Sequence, residues 1–167
     1  MIKQAIIPLA GLGTRLLPLT SVIPKELLPI NGKPNLEYIL EECLEAGVRQ
    51  FIFIISKEKI SIKKYFFNDS FYKKVIKKKK DKRIIEEFRK IKKYQKMIKF
   101  VYQNKPKGTG DAVLRCEKFI KNKFFLMLLP DDLIIKKNCT KEMIKLHNKT
   151  KGSIIATKRV DKKTVSR

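Results

Sequence analysis

The stretch "LAGLGTRLLPLTSVIPKELLPI", residues 9–30, decides the fold of this sequence. It places two glycines, an arginine and a lysine between two apolar runs, in a chain that is otherwise rich in lysine, isoleucine and phenylalanine. A glycine turn directly after an apolar strand offers backbone N–H groups to an anion, because residues without a Cβ let the chain approach a ligand closely. The stretch therefore indicates a phosphate-binding loop at the end of a buried strand.

The glycines of this loop fit neither of two widespread phosphate-binding motifs. Gly11 and Gly13 lack the third glycine of the dinucleotide fingerprint, and Pro18 follows where that fingerprint needs a continuing helix. A P-loop requires lysine and a hydroxyl residue directly after its second glycine, whereas Gly13 is followed by threonine and arginine. What remains is an extended glycine loop, to which Arg15 adds a planar charged fork and Lys25 a second positive charge.

Outward from the loop, the apolar pattern alternates between strand and helix. Asn35 is expected to cap the first helix and Gly47 to end it. The predicted strands are residues 4–9, 51–55, 99–103, 124–130 and 153–158, and the predicted helices are residues 35–46, 110–119 and 140–148. This order predicts right-handed βαβ crossovers and therefore a Rossmann-like α/β fold, a mixed, mostly parallel sheet flanked by helices.

A lysine-rich segment at residues 57–98 separates two of the predicted strands. Its apolar residues are compatible with an amphipathic helix around a charged break at residues 77–82. They are Val75, Ile76, Ile84, Ile85, Phe88, Ile91 and Tyr94. We interpret the segment as a solvated helical insertion, with a polyanion-binding arm as the alternative. No repeat or linker divides the sequence, so a single domain over residues 1–167 is predicted.

The composition limits the class of protein. No apolar stretch approaches the roughly 18 residues of a membrane span, and the N-terminus does not resemble a signal peptide, so a cytoplasmic protein without a membrane partner is expected. The three cysteines form no CxxC pair and have no histidine cluster beside them, so they are expected to be reduced packing residues. The lone His147 has no catalytic partner in its lysine-rich surroundings and is expected to be structural or at the surface.

The net charge of +24 raises a nucleic-acid-binding alternative, because Lys and Arg that neutralise phosphates release counterions. Only seven of the forty basic residues are Arg, these lie far apart, and the lysines are spread along the whole chain. Arg is preferred for bidentate contacts to phosphates and bases, so scattered lysines favour solvated surfaces over a specific interface. We therefore expect no specific nucleic-acid partner and keep a basic nucleic-acid-binding protein as the alternative.

Three motifs together resemble one family. "AGLGTRLLPLTSVIPKELLPINGKP", residues 10–34, resembles the N-terminal signature of the sugar-phosphate nucleotidyltransferases. "QNKPKGTGDAV", residues 103–113, and "LLPDDLI", residues 128–134, agree with that family in order and spacing. Within it, residues 24–26 and 130–132 look like the bacterial uridylyltransferases that use UTP and glucose 1-phosphate. The resemblance covers essentially the whole chain and implies the nucleotide-binding domain of the nucleotidyltransferase fold, incomplete at its C-terminus.

The resemblance implies a reaction and roles for charged residues. A sugar 1-phosphate oxygen attacks the α-phosphorus of UTP in line, and pyrophosphate leaves, so positioning and charge neutralisation carry the catalysis. Arg15 and Lys25 are then the catalytic cations: Arg15 braces the β and γ phosphates, and Lys25 steadies the reacting phosphates. Asp131 directly follows an apolar strand, at the sheet edge where ligands bind. It is expected to hold the Mg²⁺ cofactor, with Asp132 as its orienting neighbour.

The same resemblance assigns the nucleotide-binding residues, which are Leu9, Ala10, Gly11, Gly13, Thr14, Gln103, Gly108 and Gly110. The backbone of residues 9–11 and the Gln103 amide, which can donate and accept at once, are expected to read the imide edge of uracil. Gly108 and Gly110 let the chain pass close to the base and the ribose. Asp111 departs from the family, which commonly has histidine at this position, and the role of Asp111 is left open.

Several alternatives stay open within this resemblance. The chain is either an active uridylyltransferase, a catalytically incomplete nucleotide-binding fragment, or another sugar-1-phosphate nucleotidyltransferase. The sequence does not identify the sugar phosphate, and it leaves open whether the chain forms a homo-oligomer.

Overall fold

The computed structural model of the protein describes residues 2–67, 75–76, 78, 81–134 and 136–161. Its strands are β1 (Gln4–Pro8), β2 (Pro29–Ile30), β3 (Lys33–Pro34), β4 (Gln50–Ile55), β5 (Ile98–Tyr102) and β6 (Leu126–Met127). Its helices are α1 (Asn35–Glu45), α2 (Ile60–Phe67), α3 (Lys82–Gln95), α4 (Gly108–Leu114) and α5 (Cys139–Thr150). The structure confirms the predicted α/β alternation, and it adds the short strands β2 and β3, which the pattern did not predict.

A parallel sheet with strand order β5-β4-β1-β6 lies at the centre of the fold. All of its described pairings are parallel, and antiparallel pairing within the described residues occurs in the short β2–β3 hairpin. The registers bring the strand ends to one edge, since Pro8 pairs with Ile54 and Ile55 pairs with Tyr102. The loops that follow β1, β4 and β5 therefore start at the same edge of the sheet.

Helices cover both faces of this sheet. Side chains alternate between the faces, as the two-residue period of a strand requires. Ile7 and Phe53 pack with α1, α2, α3 and α5 on one face, whereas Ile6 and Ile52 pack with α4 on the other. Because both faces are buried, β4 reads as an uninterrupted apolar run instead of an alternating one.

The structure corrects the prediction of a strand at residues 153–158. These residues are described without strand pairing, and the Ile155 side chain is 82% exposed. A short apolar run becomes a strand only where a sheet edge offers free backbone groups in register. The neighbouring edge strand β6 pairs over only Leu126 and Met127, which is shorter than the predicted strand at residues 124–130.

The predicted cap of the first helix is also wrong. Pro34 is the N-cap of α1, and the Asn35 side chain donates from Nδ2 to the carbonyl oxygen of Pro130 at 2.8 Å. Asn35 therefore tethers the loop after β6 to α1 instead of satisfying its own helix. The predicted stop is confirmed, because Gly47 follows α1 with a φ of 90°, a left-handed conformation that favours glycine.

The lysine-rich segment contains a helix, as predicted. Asp81 caps α3 by accepting hydrogen bonds from the backbone nitrogens of Arg83 and Ile84, and Tyr94 is buried against the core. Lys90 on α3 reaches Glu41 on α1 at 2.7 Å, so the helix packs onto the domain through charged as well as apolar contacts. The predicted charged break at residues 77–82 lies mostly outside the described residues.

The three cysteines are free, and two of them are packing residues as predicted. Cys43 and Cys116 lie in the apolar clusters on opposite faces of the sheet. Burial raises the pKa of Cys43 to about 12 and that of Cys116 to about 11, which keeps both thiols protonated at neutral pH. No helix in the described part of the chain combines the length and the hydropathy that crossing a bilayer requires.

Candidate active site

The glycine loop after β1 is held by its own side chains. Gly13 has a φ of 70°, and a Cβ at this position would lie 3.3 Å from the Thr20 side chain. The Thr20 hydroxyl donates to the carbonyl oxygen of Gly13 at 2.8 Å. A larger residue at position 13 would be strained by its backbone and would push against Thr20. The loop is therefore a folded element, and Thr20 is a residue of this element that the sequence does not single out.

A cavity of about 570 Å³ opens between this loop and the turn that follows β6. Five of the predicted site residues line it together: Gly13, Thr14, Arg15, Lys25 and Asp131. Arg15 is exposed, so its guanidinium is accessible to a ligand. The two cations predicted for the phosphates and the carboxylate predicted for a metal thus meet in one cleft, although Asp131 is far from the loop in sequence.

Lys25 and Asp131 form an ion pair inside this cleft. Nζ of Lys25 lies 2.6 Å from Oδ1 and 2.7 Å from Oδ2 of Asp131. The side chains remain 24% and 58% exposed, respectively. Partly exposed pairs contribute roughly 0–1 kcal/mol to stability because water screens them. A ligand that offers a new partner to each group can therefore separate Lys25 from Asp131 at low cost.

A buried ion pair fixes the turn that carries Lys25. The neighbouring Glu26 is 1% exposed and accepts two hydrogen bonds of 2.8 Å from Nζ of Lys59, which is 6% exposed. Lys59 lies in the short 3-10 turn Lys57–Lys59 after β4, so the pair connects two loops at the carboxyl edge of the sheet. The sequence places Glu26 in a family motif but does not reveal its pairing with Lys59, because no local pattern relates the two positions.

Asp132, the predicted orienting neighbour of Asp131, lies at a different cavity, and its orienting role stays a prediction. It lines a second cavity of about 380 Å³, formed by β6, α5 and residues 152–156, and Asp131 is not among the residues that line that cavity. His147 lies at this second cavity and contacts the Phe124 ring with 4.4 Å between ring centroids, consistent with the predicted structural role.

The predicted base-reading residues lie at the same sheet edge but do not line the larger cavity. Leu9 is fully buried, and its backbone nitrogen donates to the carbonyl oxygen of Ile54 at 2.7 Å. The N–H of Leu9 therefore belongs to the sheet, which leaves its carbonyl for the predicted backbone contact with uracil, and that contact stays a prediction. Ala10 and Gly11 follow Leu9 into the loop, and Gly11 is exposed.

Gln103, at the end of β5, is held by the loop that begins α4. Its Nε2 donates to the carbonyl oxygen of Gly108 at 3.0 Å and to Oδ2 of Asp111 at 2.7 Å. Nε of Arg115 donates to the same carboxylate oxygen at 2.7 Å. Hydrogen bonds from Arg115 and Gln103 lower the pKa of Asp111, so this carboxylate is ionised at neutral pH. Gly108 has a φ of 88°, and both Gly108 and Gly110 have open space where a Cβ would lie.

These loops match one known family over nearly the whole chain. Residues 4–166 fit the family model described as nucleotidyl transferase. The chain belongs to the nucleotidyl transferase family. The match includes the glycine loop, the loop of Gln103 and the turn of Asp131, so each part of the site described above lies inside the nucleotidyl transferase domain.

Two of the most similar curated relatives are named as UTP–glucose-1-phosphate uridylyltransferases. A Methanocaldococcus jannaschii protein, provisionally named UTP–glucose-1-phosphate uridylyltransferase, is 40% identical over 167 residues, which are 99% of this chain and 58% of that protein. The UTP–glucose-1-phosphate uridylyltransferase of Mycoplasma genitalium is 36% identical over 163 residues, 96% of this chain and 55% of that enzyme. This nucleotidyl transferase chain thus spans just over half the length of the curated relatives it matches.

Solved structures show the same fold. A UTP-bound UGPase from Acinetobacter baumannii superposes with a TM-score of 0.83 at 34% identity, covering 90% of this chain and 54% of that one. A UDP-glucose pyrophosphorylase complexed with UDP-glucose gives a TM-score of 0.72 at 35% identity, with coverages of 90% and 55%. The described residues therefore have the nucleotidyl transferase fold and match just over half of each of these solved chains.

Proposed function

We propose that this chain binds UTP and belongs to an enzyme that transfers the uridylyl group to glucose 1-phosphate. The observation that carries the proposal is the convergence of Arg15, Lys25 and Asp131 in one cavity of about 570 Å³. The names of the relatives and the two ligands in the solved structures support UTP as the nucleotide and UDP-glucose as the product.

The chemistry requires charge neutralisation more than covalent catalysis. An oxygen of the sugar 1-phosphate forms a bond to the α-phosphorus, and the bond from that phosphorus to the bridging oxygen breaks. Its electron pair leaves with pyrophosphate. The leaving group gains negative charge in the transition state, so cations near it lower the barrier. Arg15 offers a planar fork with several N–H donors, which suits the β and γ phosphates, and Lys25 supplies a mobile point charge.

Asp131 fits a magnesium ion. Mg²⁺ prefers oxygen ligands and is held by one or two carboxylates together with substrate phosphates and water. Asp131 provides one accessible carboxylate at the cavity, and no group of three His, Cys, Asp or Glu side chains suited to a metal occurs among the described residues. When bound, the ion would neutralise phosphate charge beside Lys25. Within this chain, Asp131 would hold it after releasing Lys25.

The first test removes the guanidinium from the cavity. Arg15→Ala should weaken UTP binding by about tenfold or more, because a charge-assisted hydrogen bond contributes about 1.5–3 kcal/mol. Isothermal titration of the wild-type chain and the variant with UTP measures this effect. Arg89→Ala is the matched control, since Arg89 is an exposed arginine on α3 that does not line the cavity. Its UTP affinity should equal that of the wild-type chain.

Two further measurements separate this proposal from its alternatives. If UTP binds no better than inorganic triphosphate, or if both arginine variants lose affinity equally, the nucleotide site is refuted and general charge attraction explains the binding. Formation of UDP-glucose from UTP and glucose 1-phosphate tests the transfer. UTP binding without formation of UDP-glucose would identify the chain as a catalytically incomplete nucleotide-binding fragment, one of the alternatives that the sequence leaves open.

A further inference from the structure

The amide of Gln103 has one fixed orientation in the structure. The side chain is 6% exposed, and both of its hydrogen bonds within the described residues use the nitrogen. The two hydrogens of Nε2 are therefore committed to the Gly108 carbonyl and to the Asp111 carboxylate. Because an amide has two donors on nitrogen and two acceptor positions on oxygen, Oε1 is the group left for a bound molecule.

Asp111 enforces this orientation through its charge. A carboxylate accepts hydrogen bonds and cannot donate them, so it excludes the flipped amide, whose oxygen would face another oxygen. Arg115, the C-cap of α4 and four residues after Asp111, donates to both carboxylate oxygens at 2.7 and 3.4 Å and keeps Asp111 in place. The arrangement is a chain of three side chains in which Arg115 holds Asp111 and Asp111 holds Gln103.

The orientation of this amide distinguishes two pyrimidines. Uracil carries a hydrogen on ring nitrogen N3, which an amide oxygen accepts. Cytosine has a lone pair at the same position, which an amide oxygen repels and only a flipped amide could satisfy. A binding site that accepts a hydrogen bond from N3–H of uracil disfavours cytosine, because the acceptor in the site is then left without a hydrogen-bond partner.

We propose that Asp111 is a positioning residue that sets base specificity: by holding the nitrogen of the Gln103 amide, it presents the oxygen to N3–H of uracil and disfavours cytosine. The proposal rests on the UTP binding proposed above. It assigns a role to a residue that departs from the family pattern. Asp111 acts here through Gln103 and needs no contact with the nucleotide.

The test compares UTP and CTP affinities of the full chain. Asp111→Asn keeps the shape of the side chain, but its amide can donate as well as accept, so only the Gly108 carbonyl then disfavours the flipped orientation of Gln103. The ratio of the CTP to the UTP dissociation constant should fall by about fivefold to tenfold relative to the wild-type chain. Glu117→Gln is the matched control: it removes one negative charge from the exposed turn after α4, and the ratio should stay unchanged.

A double variant tests whether Asp111 acts through Gln103. In the Gln103→Ala background the UTP preference should already be reduced, and adding Asp111→Asn should change the ratio no further. Melting temperatures of all variants confirm that they fold. An unchanged ratio in Asp111→Asn, an equal change in Glu117→Gln, or a full additional change in the Gln103→Ala background would each overturn the proposal. If the wild-type chain fails to bind UTP at all, the proposed function itself fails instead.

Discussion

Two adjacent residues, Lys25 and Glu26, form ion pairs of opposite character. Lys25 meets Asp131 in an open cleft, where the two side chains are 24% and 58% exposed. Glu26 meets Lys59 in the interior, where the two side chains are 1% and 8% exposed. Solvent-exposed ion pairs exchange partners readily because water screens their charges. Separating a buried ion pair is costly because it leaves a charge without a partner and without water. One turn of the chain thus joins a ligand-binding group to a fixed anchor.

The largest expected effect comes from breaking the buried pair. Lys59→Met should lower the free energy of unfolding by about 3–5 kcal/mol, because Glu26 then stays buried without a counter-charge. Chemical denaturation of the variant and the wild-type chain measures the change. A loss below about 1 kcal/mol, the range of exposed pairs, would contradict the contrast drawn here.

A double variant serves as the control for this prediction. Replacing both partners, Glu26→Leu with Lys59→Met, leaves no unpaired charge and should restore most of the lost stability. If the double variant is as unstable as Lys59→Met alone, packing of the lysine stem is responsible instead of charge.

An intermediate effect is expected at a third, partly buried pair. Partial burial alone would raise the pKa of Glu41, but hydrogen bonds from Lys33 and Lys90 outweigh it and lower the pKa below its ordinary value of 4.5. The stabilisation from Glu41 is therefore complete at neutral pH and is lost as the pH falls from about 4.5 through the lower folded-state value. Glu41→Gln, which cannot ionise, should cost about 1 kcal/mol at pH 7.

The measurement is a set of denaturation curves at pH 7 and pH 3. Between pH 7 and pH 3 the wild-type chain should lose more stability than Glu41→Gln, because position 41 can gain a proton only where it carries a carboxylate. Parallel losses in both proteins would show that Glu41 makes no pH-dependent contribution.

The smallest expected effect on stability is at Lys25. Lys25→Met should change the free energy of unfolding by about 0.5 kcal/mol or less, as expected for an exposed pair. The same variant should bind UTP about tenfold more weakly, since a cation that faces the phosphates is lost. Denaturation and UTP titration on one preparation test both statements. A large loss of stability with unchanged UTP affinity would make Lys25 a second anchor.

Much of the fold and part of the site could be predicted from the sequence, because both depend on local pattern. Apolar runs mark β1, β4 and β5, and the glycine loop and Asp131 each follow an apolar run in the sequence, so their position at the sheet edge could be inferred. The structure brings Arg15, Lys25 and Asp131 into one cavity, as the resemblance implies. Their catalytic and metal-binding roles stay predictions.

The missed features depend on contacts that the sequence pattern does not reveal. Lys25 and Asp131 are 106 positions apart, and Glu26 and Lys59 are 33 apart, so no periodic pattern relates the partners. The predicted strand at residues 153–158 failed for the same reason, since a strand exists through a partner that composition does not reveal. The departure of Asp111 from the family pattern was visible in the sequence, but its contact with Gln103 was not.

The pairing of Lys25 with Asp131 gives the cleft between the glycine loop and the turn after β6 an internal counterion. In a chain of net charge +24, a lysine without a counter-charge in this cavity would attract polyanions nonspecifically. Here such a molecule must first compete with Asp131, so it gains less from Lys25 than from a solvated surface lysine. A ligand that brings negative and positive charge together would compensate both members of the pair at once, so we expect this cleft to bind a metal-chelated nucleotide better than a bare polyphosphate or RNA.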